Sequence, residues 1–503
     1  MGRVLAIDAG TTGVTVLVVD ELGDVLGKGY REFPQSFPNP GWVEHAPEDW
    51  WDAMMAAAGE ALAATSTDPR TLSAVGITNQ RETTVVWDRA TLKPIHPAIV
   101  WQDRRTARAC EQLRQEGWGE RIRDRTGLVI DPYFSGTKLA WVLENVAGAR
   151  EEAEAGRLAF GTVDAYLLAR LSGGEMHRTD RTNASRTMLF DIHQLSWDDE
   201  ILGRLGVPAA LLPEVLPSSG RFGLTQPDGF FGASVPISGM AGDQQAALFG
   251  QACFQPGATK NTYGTGSFVL MNTGSVAAPS NTGLITTIAC TSGDDVAYAL
   301  EGSIFVTGAA IQWLRDGLGI IDVASEAGPL AASVPDAGGV YFVPALTGLG
   351  APWWDPYARG TIVGLTRGTT RAHVVRAAVE AMAFQTRDVV EAMRTDAGVS
   401  LLELKADGGA SAMDALLQFQ ADLLGVPVAR AQVQETTALG AAYLAGLCEG
   451  LWSSTDELAA HWKSDREFSP RSADEVEVRY GEWRRAVERS LGWAAPEEPP
   501  VSP

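Results

Sequence analysis

Apolar residues form two patterns, one typical of β-strands and one typical of helices, and these alternate along the chain. Val4–Ile7 and Val14–Val19 are short runs rich in β-branched residues, and the turn between them contains Gly10 and Gly13. This pattern predicts a β-hairpin. An amphipathic run from 47 to about 63 predicts a helix. Strand-like and helix-like runs continue to alternate beyond it, which is typical of the α/β class.

The alternating pattern restarts near residue 240. A strand, a Gly-Asp corner and a helix are predicted in VPISGMAGDQQAALFG (235–250), and a second hairpin in TKNTYGTGSFVLMNTG (259–274). A third strand–glycine–helix corner lies in LKADGGASAMDALLQFQADLLG (404–425). A duplicated fold explains this order, because ligand sites of α/β sheets gather at the carboxyl ends of the strands. We therefore predict two domains, 1–248 and 249–503, with the active site in the cleft between them; chance similarity of Gly-Thr turns is the alternative.

The amino-acid composition and net charge limit the kinds of partner that the protein is expected to bind. The 503 residues are 45 % hydrophobic and 20 % charged, an ordinary globular balance, and carry a formal net charge of -22. This charge argues against nucleic acid and anionic membrane surfaces as partners. No stretch approaches the roughly 20 apolar residues that a membrane span needs. The four cysteines are far apart, which predicts free thiols in a cytoplasmic protein, and the Pro-rich end (495–503) predicts a disordered tail.

The first hairpin places an aspartate beside a glycine-threonine turn. Asp8 could simply cap this turn. In the other interpretation the turn binds phosphate, because glycines let backbone N–H groups approach an anion. Asp8 would repel a bare phosphate, so this interpretation requires a Mg²⁺ ion between the two. The chain contains neither a G-x-x-x-x-G-K-[ST] loop nor a G-x-G-x-x-G turn that opens a helix after a strand, which argues against two common nucleotide sites.

Several motifs together carry a family resemblance over nearly the full length. They are GWVEH (41–45), GITNQRETTVVW (76–87), AIVWQDRRT (98–106), TGLVIDPYFSGTK (126–138), TNASRTMLFDI (182–192), GDQQAALFGQ (242–251), NTYGTGSF (261–268), LTGLGAPWWDPYARG (346–360) and ETTALGAAYLAG (435–446). On these motifs the chain resembles the FGGY carbohydrate kinase family of the actin-like ATPase superfamily, and its NQRET patch is similar to that of the family's glycerol kinases. The resemblance implies two duplicated ribonuclease-H-like domains and ATP-dependent phosphorylation of glycerol to sn-glycerol 3-phosphate.

The resemblance also implies where glycerol binds. Arg81 would donate to a hydroxyl and Glu82 would accept from one, and further contacts would come from Tyr133, Asp243, Gln244 and the apolar walls Trp101 and Phe268. Buried polar partners of this kind penalise a wrong substrate, because it leaves them unpaired. Without the motifs around them, Arg81 and Glu82 would be interpreted as a surface ion pair, and the two aromatic residues as ordinary core.

Asp243 is the predicted general base. A carboxylate at a Gly-Asp corner can orient the attacking hydroxyl and take its proton; the alternative role is N-cap of the following helix. The resemblance implies that Asp8 and Asp243 hold Mg²⁺. It places ATP on residues at and near the two hairpin turns, namely Thr11, Thr12, Gly13, Thr15, Gly264, Thr265, Gly308, Gln312, Gly409 and Met413.

Two positions depart from the family pattern. The family's first turn commonly reads D-Q-G-T-T-S-S-R, and Thr15 stands where the arginine would be. Met413 stands where an asparagine near the adenine is expected. Both departures concern the nucleotide side, and two rivals stay open: a kinase for another small polyol, and a non-catalytic nucleotide-binding scaffold of the actin-like type. Because many family members are dimers or tetramers, a homo-oligomer is the starting expectation.

Overall fold

Two large sheets contain most of the long strands in the computed structural model, which describes residues 2–471 and 474–495. Of the tail predicted to be disordered, residues 496–503 lie outside the described residues. In chain order the strands are β1 (Arg3–Ala9), β2 (Gly13–Asp20), β3 (Val25–Glu32), β4 (Glu44–His45), β5 (Ala74–Asn79), β6 (Val85–Asp88), β7 (Ala98–Ile99), β8 (Leu158–Gly161), β9 (Arg178–Asp180), β10 (Phe190–Asp191), β11 (Ser196–Trp197), β12 (Glu214–Leu216), β13 (Ser219–Leu224), β14 (Pro236–Gly242), β15 (Ala258–Tyr263), β16 (Ser267–Gly274), β17 (Ile285–Ala289), β18 (Ala297–Ile304), β19 (Tyr341–Val343), β20 (Thr361–Val363), β21 (Glu403–Asp407), β22 (Val428–Ala431) and β23 (Ser464–Phe468).

The α-helices lie between these strands and after them. In chain order they are α1 (Pro47–Ala64), α2 (Ala107–Gln115), α3 (Gly119–Thr126), α4 (Ser135–Asn145), α5 (Ala149–Glu154), α6 (Val163–Leu171), α7 (Arg181–Ala184), α8 (Asp199–Leu205), α9 (Asp243–Gly250), α10 (Gly308–Asp316), α11 (Ala327–Ala332), α12 (Arg371–Ala397), α13 (Asp414–Leu424), α14 (Thr436–Cys448), α15 (Thr455–His461) and α16 (Asp474–Glu488). Among the described residues, none of these helices is long and apolar enough to cross a membrane.

The two large sheets share one plan. The first is ordered β13–β14–β5–β1–β2–β3, and the second β23–β22–β21–β15–β16–β18–β17. In each sheet the hairpin (β1–β2 or β15–β16) is antiparallel, and the next two strands (β5 and β14, or β21 and β22) run parallel to its first strand. The strand beyond them (β13 or β23) is antiparallel again. The predicted duplication is confirmed, and β17 extends the second sheet at its far edge.

A helix from the second half packs on the first sheet. α14 lies against β1, β5, β14 and α9. The close approach of α14 to β5 and to α9 depends on glycines. A Cβ on Gly76 would overlap the carbonyl of Ala441, and a Cβ on Gly440 would overlap the carbonyl of Ala246. The two halves thus share an apolar core, and the boundary between 1–248 and 249–503 stays a prediction.

Other cores lie on individual sheets and on the insertion between β5 and β14. α1 and α6 pack on the first sheet, with Trp50, Trp87 and Tyr166 in the core. α12 and α13 pack on the second sheet. A further core joins β6, β8 and α2 to α5. This insertion carries Trp101 and Tyr133, two of the predicted substrate residues.

Packing of α14 should tolerate no added methyl group at Gly440. Gly440→Ala should lower the free energy of unfolding by about 2–3 kcal/mol, because the new Cβ overpacks the contact with α9. Gly481→Ala is the matched control: this glycine lies within α16 with no atom near its Cβ position, so the substitution should raise stability by about 0.5–1 kcal/mol. Urea unfolding of both variants checks the prediction, and equal shifts in midpoint would contradict it.

Candidate active site

Three parallel strands of the first sheet end side by side. β1 pairs with β5 so that Asp8 lies opposite Thr78, and β14 pairs with β5 so that Gly242 lies opposite Asn79. The carboxyl ends of parallel strands meet at one edge of a sheet, where open α/β sheets bind ligands. Asp8, the loop 80–84 and Asp243 therefore share this edge.

Arg81 makes the most polar contacts at this edge. Its Nε lies 3.1 Å from Oδ1 of Asp243. Its Nη1 donates to Oε1 of Gln245 (3.1 Å) and Oε2 of Glu301 (2.5 Å), and Nη2 donates to Oε1 of Glu301 (3.0 Å). Gly242 makes room, because a Cβ there would lie 2.7 Å from the Arg81 side chain. Only 2 % of that side chain is exposed, so the interpretation as a surface ion pair is wrong.

Glu82 pairs with a second arginine rather than with its neighbour. Its Oε1 accepts from Nε of Arg186 at 2.6 Å, whereas Nε of Arg81 lies 3.8 Å away. Burial raises the pKa of Glu82, and the charges of Arg186 and Arg81 oppose that rise. The backbone of Glu82 is left-handed (φ 60°), which costs a residue with a side chain about 1–3 kcal/mol. The hydroxyls of Ser135 and Thr84 donate to its carbonyl and hold this conformation.

Aromatic rings border this polar cluster. Trp101 and Tyr133 meet edge to face with their centroids 5.6 Å apart. Nε1 of Trp101 donates to Oγ1 of Thr11 at 3.0 Å, which ties the ring to the first hairpin turn. Cζ of Arg81 lies 5.9 Å from the centroid of the Phe268 ring. Trp101 and Phe268 are only half-buried, unlike fully buried core residues, and the structure brings the predicted substrate residues together.

Asp243 begins α9 and is partly open to solvent. Its side chain is 27 % exposed, although the Arg81 side chain beside it is buried. Burial raises the pKa of Asp243, and the charge of Arg81 opposes the rise. Its Oδ1 accepts from the backbone N–H of Gln244 at 2.7 Å, and Gly242 occupies the N-cap position. Asp243 is therefore the first residue of α9 rather than its N-cap, and its side chain bonds to the first turn of that helix.

A buried lysine from the second sheet lies close to Asp243. Nζ of Lys260, on β15, donates to Oε1 of Gln244 and to Oγ1 of Thr262, the latter at 3.0 Å. Burial lowers the pKa of Lys260 to about 8, against the opposing charges of Asp407 and Asp243. Because Lys260 occupies its carbonyl oxygen, Gln244 is held with its amide nitrogen left to donate.

Asp8 and Asp243 are close enough to influence each other. Burial raises the pKa of Asp8 to about 7, and the charge of Asp243 adds to the rise. Among the described residues, no group of three or more His, Cys, Asp or Glu side chains is arranged to hold a metal ion. Mg²⁺ keeps several waters and binds through one or two carboxylates together with substrate phosphates. Two carboxylates at one edge of the sheet therefore fit the predicted ion.

The first hairpin turn, between β1 and β2, contains the predicted phosphate residues Thr11 and Thr12. Only glycine fits at Gly13, where a Cβ would lie 2.7 Å from the carbonyl oxygen of Arg31. Thr15 lies opposite Asp8 across the hairpin, and directly opposed residues point to the same face of a sheet. An arginine at position 15 would thus share a face with Asp8.

The second hairpin turn holds the start of α10. The carbonyl of Gly264 accepts from the N–H of Gly308, and that of Thr265 from the N–H of Ala309, each at 3.0 Å. Gln312 is exposed one turn further along α10. These four predicted nucleotide residues therefore form one continuous surface segment.

The last two predicted nucleotide residues follow β21, which is parallel to β15. A Cβ on Gly408 would lie 2.6 Å from the carbonyl oxygen of Tyr263, so exposed Gly409 comes next to the second hairpin turn. Met413 packs partly buried against the core of the second half. A Cβ on Gly328 would lie 3.3 Å from its Cγ, so Met413 also contacts α11.

Sequence reasoning missed three charged residues of this site: Arg186, Lys260 and Glu301. Glu301 stands alone in the strand AYALEGSI, and Lys260 stands alone in ATKNTY. A single charge in such a strand was the available signal, because Lys and Glu are rarely fully buried unless they are paired. Arg186 lies within the motif TNASRTMLFDI, and nothing in that segment distinguishes it from Arg181 just before.

Comparison with known proteins identifies the family. The sequence model for the N-terminal domain of the FGGY family of carbohydrate kinases matches residues 3–250, and that for its C-terminal domain matches residues 259–448. The chain belongs to the FGGY family of carbohydrate kinases. The predicted family is confirmed, and with it the class of enzyme, a kinase.

Individual relatives match almost the whole chain. The glycerol kinase of Symbiobacterium thermophilum is 60 % identical over 495 residues, 98 % of this chain and 99 % of the relative. Glycerol kinase 2 of Thermotoga maritima is 58 % identical over 494 residues, again 98 % of this chain and 99 % of the relative. A crystal structure of Plasmodium falciparum glycerol kinase with ADP matches with a TM-score of 0.91 at 36 % identity, covering 98 % of both chains.

A more distant solved structure has the same fold. Ligand-bound xylulose kinase from Lactobacillus acidophilus matches with a TM-score of 0.86 at 20 % identity, covering 97 % of both chains. The predicted two-domain α/β fold is thus confirmed.

One buried lysine bonds to the loop that carries Tyr133. Nζ of Lys138 donates to the carbonyls of Pro132 (3.0 Å), Tyr133 (2.5 Å) and Phe134 (3.0 Å). Lys138→Met should lower the free energy of unfolding by about 2–3 kcal/mol. Three carbonyls lose a charged donor, each such bond being worth about 1.5–3 kcal/mol, and relief from burying an ammonium group offsets part of the loss.

The control for this prediction is Lys93→Met at an exposed position, which should change the free energy of unfolding by less than about 0.5 kcal/mol. Urea unfolding measures both variants. A Lys138→Met protein as stable as the control would show that these three bonds are not needed.

Proposed function

We propose that this FGGY kinase transfers the γ-phosphoryl group of ATP to glycerol, forming sn-glycerol 3-phosphate and ADP. The observation that carries the proposal is the spare hydrogen-bonding capacity of adjacent polar groups. Among the described residues, Nη2 of Arg81 has one partner for its two N–H groups, and neither Oε2 of Glu82 nor the amide nitrogen of Gln244 has any. These donors and this acceptor suit a small neutral polyol. The names of the two relatives at 58–60 % identity support glycerol as that polyol.

Asp243 is the proposed general base. In the proposed step a glycerol hydroxyl oxygen attacks the γ-phosphorus, the bond to the bridging β–γ oxygen breaks to release ADP, and the hydroxyl proton passes to the Asp243 carboxylate. A raised pKa suits this role, because proton transfer works best when the pKa of the base lies near the working pH. Arg81, 3.1 Å away, would keep the carboxylate oriented.

The proposed ATP site uses both hairpin turns. Phosphates would lie against the first turn, and the rest of the nucleotide against the second turn, α10 and the segment after β21: Thr11, Thr12, Gly13, Thr15, Gly264, Thr265, Gly308, Gln312, Gly409 and Met413. Asp8 and Asp243 would hold Mg²⁺, which when bound supplies positive charge to the phosphates. The scaffold alternative offers no reason for Arg81, Glu82 and Asp243 to converge.

The proposal includes a cytoplasmic setting. All four cysteines are free thiols in the structure, as is usual in a reducing compartment. The strong negative charge supports small-molecule partners rather than nucleic acid.

The test of the proposed function is a coupled assay of ADP release with ATP and Mg²⁺. Glycerol, erythritol and dihydroxyacetone are compared with a sample without acceptor. We expect release to depend on glycerol and to be fastest with it. If turnover is faster with another polyol, that polyol replaces glycerol as the proposed substrate. If ADP release does not depend on any acceptor, the scaffold alternative is favoured.

Asp243→Asn should separate catalysis from binding. The amide keeps the size of the side chain but cannot take the proton, so kcat should fall by about 10²–10⁴-fold while the glycerol KM changes far less. Steady-state kinetics measure both, and a thermal melt confirms folding. A variant with near-parent kcat would exclude Asp243 as the base.

Thr15→Arg should restore a cation beside the phosphates. Position 15 shares a sheet face with Asp8, and arginine at a transferring phosphoryl group can contribute a large rate factor. We expect tighter ATP binding or a higher kcat than in the parent. Thr15→Gln adds length without charge and serves as the control. An arginine variant no better than the glutamine variant would show that another group already supplies this charge.

A further inference from the structure

Glu301 joins the two halves of the molecule at the substrate cluster. It lies on β18 of the second sheet and is fully buried. Its two carboxylate oxygens accept three hydrogen bonds, from Nη1 and Nη2 of Arg81 (2.5 and 3.0 Å) and from Nη2 of Arg186 (3.1 Å). Both arginines belong to the first half of the chain. A residue of the second half thus holds the arginine that we expect to bind glycerol.

Four buried charges that include Glu301 balance one another. Arg81 and Arg186 carry two positive charges, and Glu82 and Glu301 carry two negative charges, all with side chains at most 2 % exposed. A buried ion is costly unless it is paired and hydrogen-bonded. Burial alone would raise the pKa of Glu301, but the charges of Arg186 and Arg81 outweigh it and lower the pKa to about 2. Glu301 therefore stays a carboxylate at neutral pH.

The contact with Glu301 fixes the direction of the Arg81 guanidinium. Two parallel N–H···O bonds between a guanidinium and a carboxylate define both the plane and the rotation of the group. With that plane set, Nε lies 3.1 Å from Asp243 and Nη1 also reaches Gln245. One N–H of Nη2 has no partner among the described residues.

We propose that Glu301 is a positioning residue for the polyol: it orients Arg81 from the opposite half, so that the substrate site is complete only when the two halves are docked. The inference rests on the proposed function, since it takes Arg81 as a glycerol ligand. Among the described residues, Glu301 forms no hydrogen bond or ion pair with the residues expected to bind ATP, so its loss should weaken glycerol binding without weakening nucleotide binding.

The test is steady-state kinetics of Glu301→Gln with both substrates varied. The amide keeps the shape but offers one acceptor oxygen and turns a donor toward an arginine. We expect the glycerol KM to rise at least about tenfold, and the ATP KM to stay within about twofold of the parent. Glu301→Asp keeps the charge on a shorter side chain and should recover part of the loss. Parent-like glycerol KM in a folded Glu301→Gln protein, or equal increases in both KM values, would overturn the proposal.

Asp388→Asn is the matched control for loss of a buried carboxylate in the same half. Asp388 accepts from Trp353, Tyr480 and Trp483 and, among the described residues, forms no hydrogen bond or ion pair with the substrate cluster. The Asp388→Asn substitution should lower Tm while leaving the KM values for glycerol and ATP unchanged. If Glu301→Gln does not fold, Glu301→Asp carries the same test on the glycerol KM, with calorimetric glycerol binding as a second readout.

The kinetics of the unsubstituted parent protein show separately whether the proposed function fails. If the parent phosphorylates another polyol instead of glycerol, the glycerol assignment fails, and the KM for that polyol becomes the readout for Glu301. If the parent uses glycerol and Glu301→Gln binds it normally, only the inference about Glu301 fails.

Discussion

Four buried charges at the base of the site constrain how the halves of this protein meet. Arg81, Glu82, Arg186 and Glu301 are removed from water together, and each is tolerated only because an opposite charge lies within hydrogen-bonding distance. Three of them come from the first half and one from the second. Any relative displacement of the halves at this point would leave an unpaired ion, so the charge balance stabilises one docked arrangement.

Close backbone packing acts in the same direction at a second place. α14 of the second half lies on the first sheet, and Gly76 and Gly440 permit contacts that any larger residue would block. Charged pairing around Glu301 and apolar packing along α14 therefore hold the halves together by different physical means. The charged contact is sensitive to changes of side-chain charge, and the α14 contact to changes of side-chain volume. The two contacts can therefore be distinguished by the kind of substitution that weakens each of them.

Much of the fold followed from the sequence because its signals are local. The hairpin around Gly10 and Gly13, the Gly-Asp corner before α9 and the restart near residue 240 are each encoded by a few neighbouring residues. The list of substrate residues came from motifs that resemble a family, and the structure places those residues together. The partners of Arg81 could not be predicted, because Glu301 lies 220 residues away in the chain and only the tertiary fold brings it to β5. Likewise the helix α14 belongs to one half by sequence and packs on the other, which no local pattern encodes.

The electrostatics of the two sides of the site differ. On the polyol side the buried charges cancel, which suits an uncharged substrate. On the phosphate side Asp8 and Asp243 place two carboxylates at the same edge of the first sheet, and burial raises the pKa of Asp8, with a further rise from the charge of Asp243. Lys260 is a buried cation between Gln244 and Thr262. Thr15 is uncharged and adds no further positive charge. A triphosphate entering this field, in a chain with a net charge of -22, meets repulsion that backbone N–H groups alone offset poorly. The proposed function therefore includes Mg²⁺ on physical grounds, because a divalent ion lets two carboxylates face a phosphate chain.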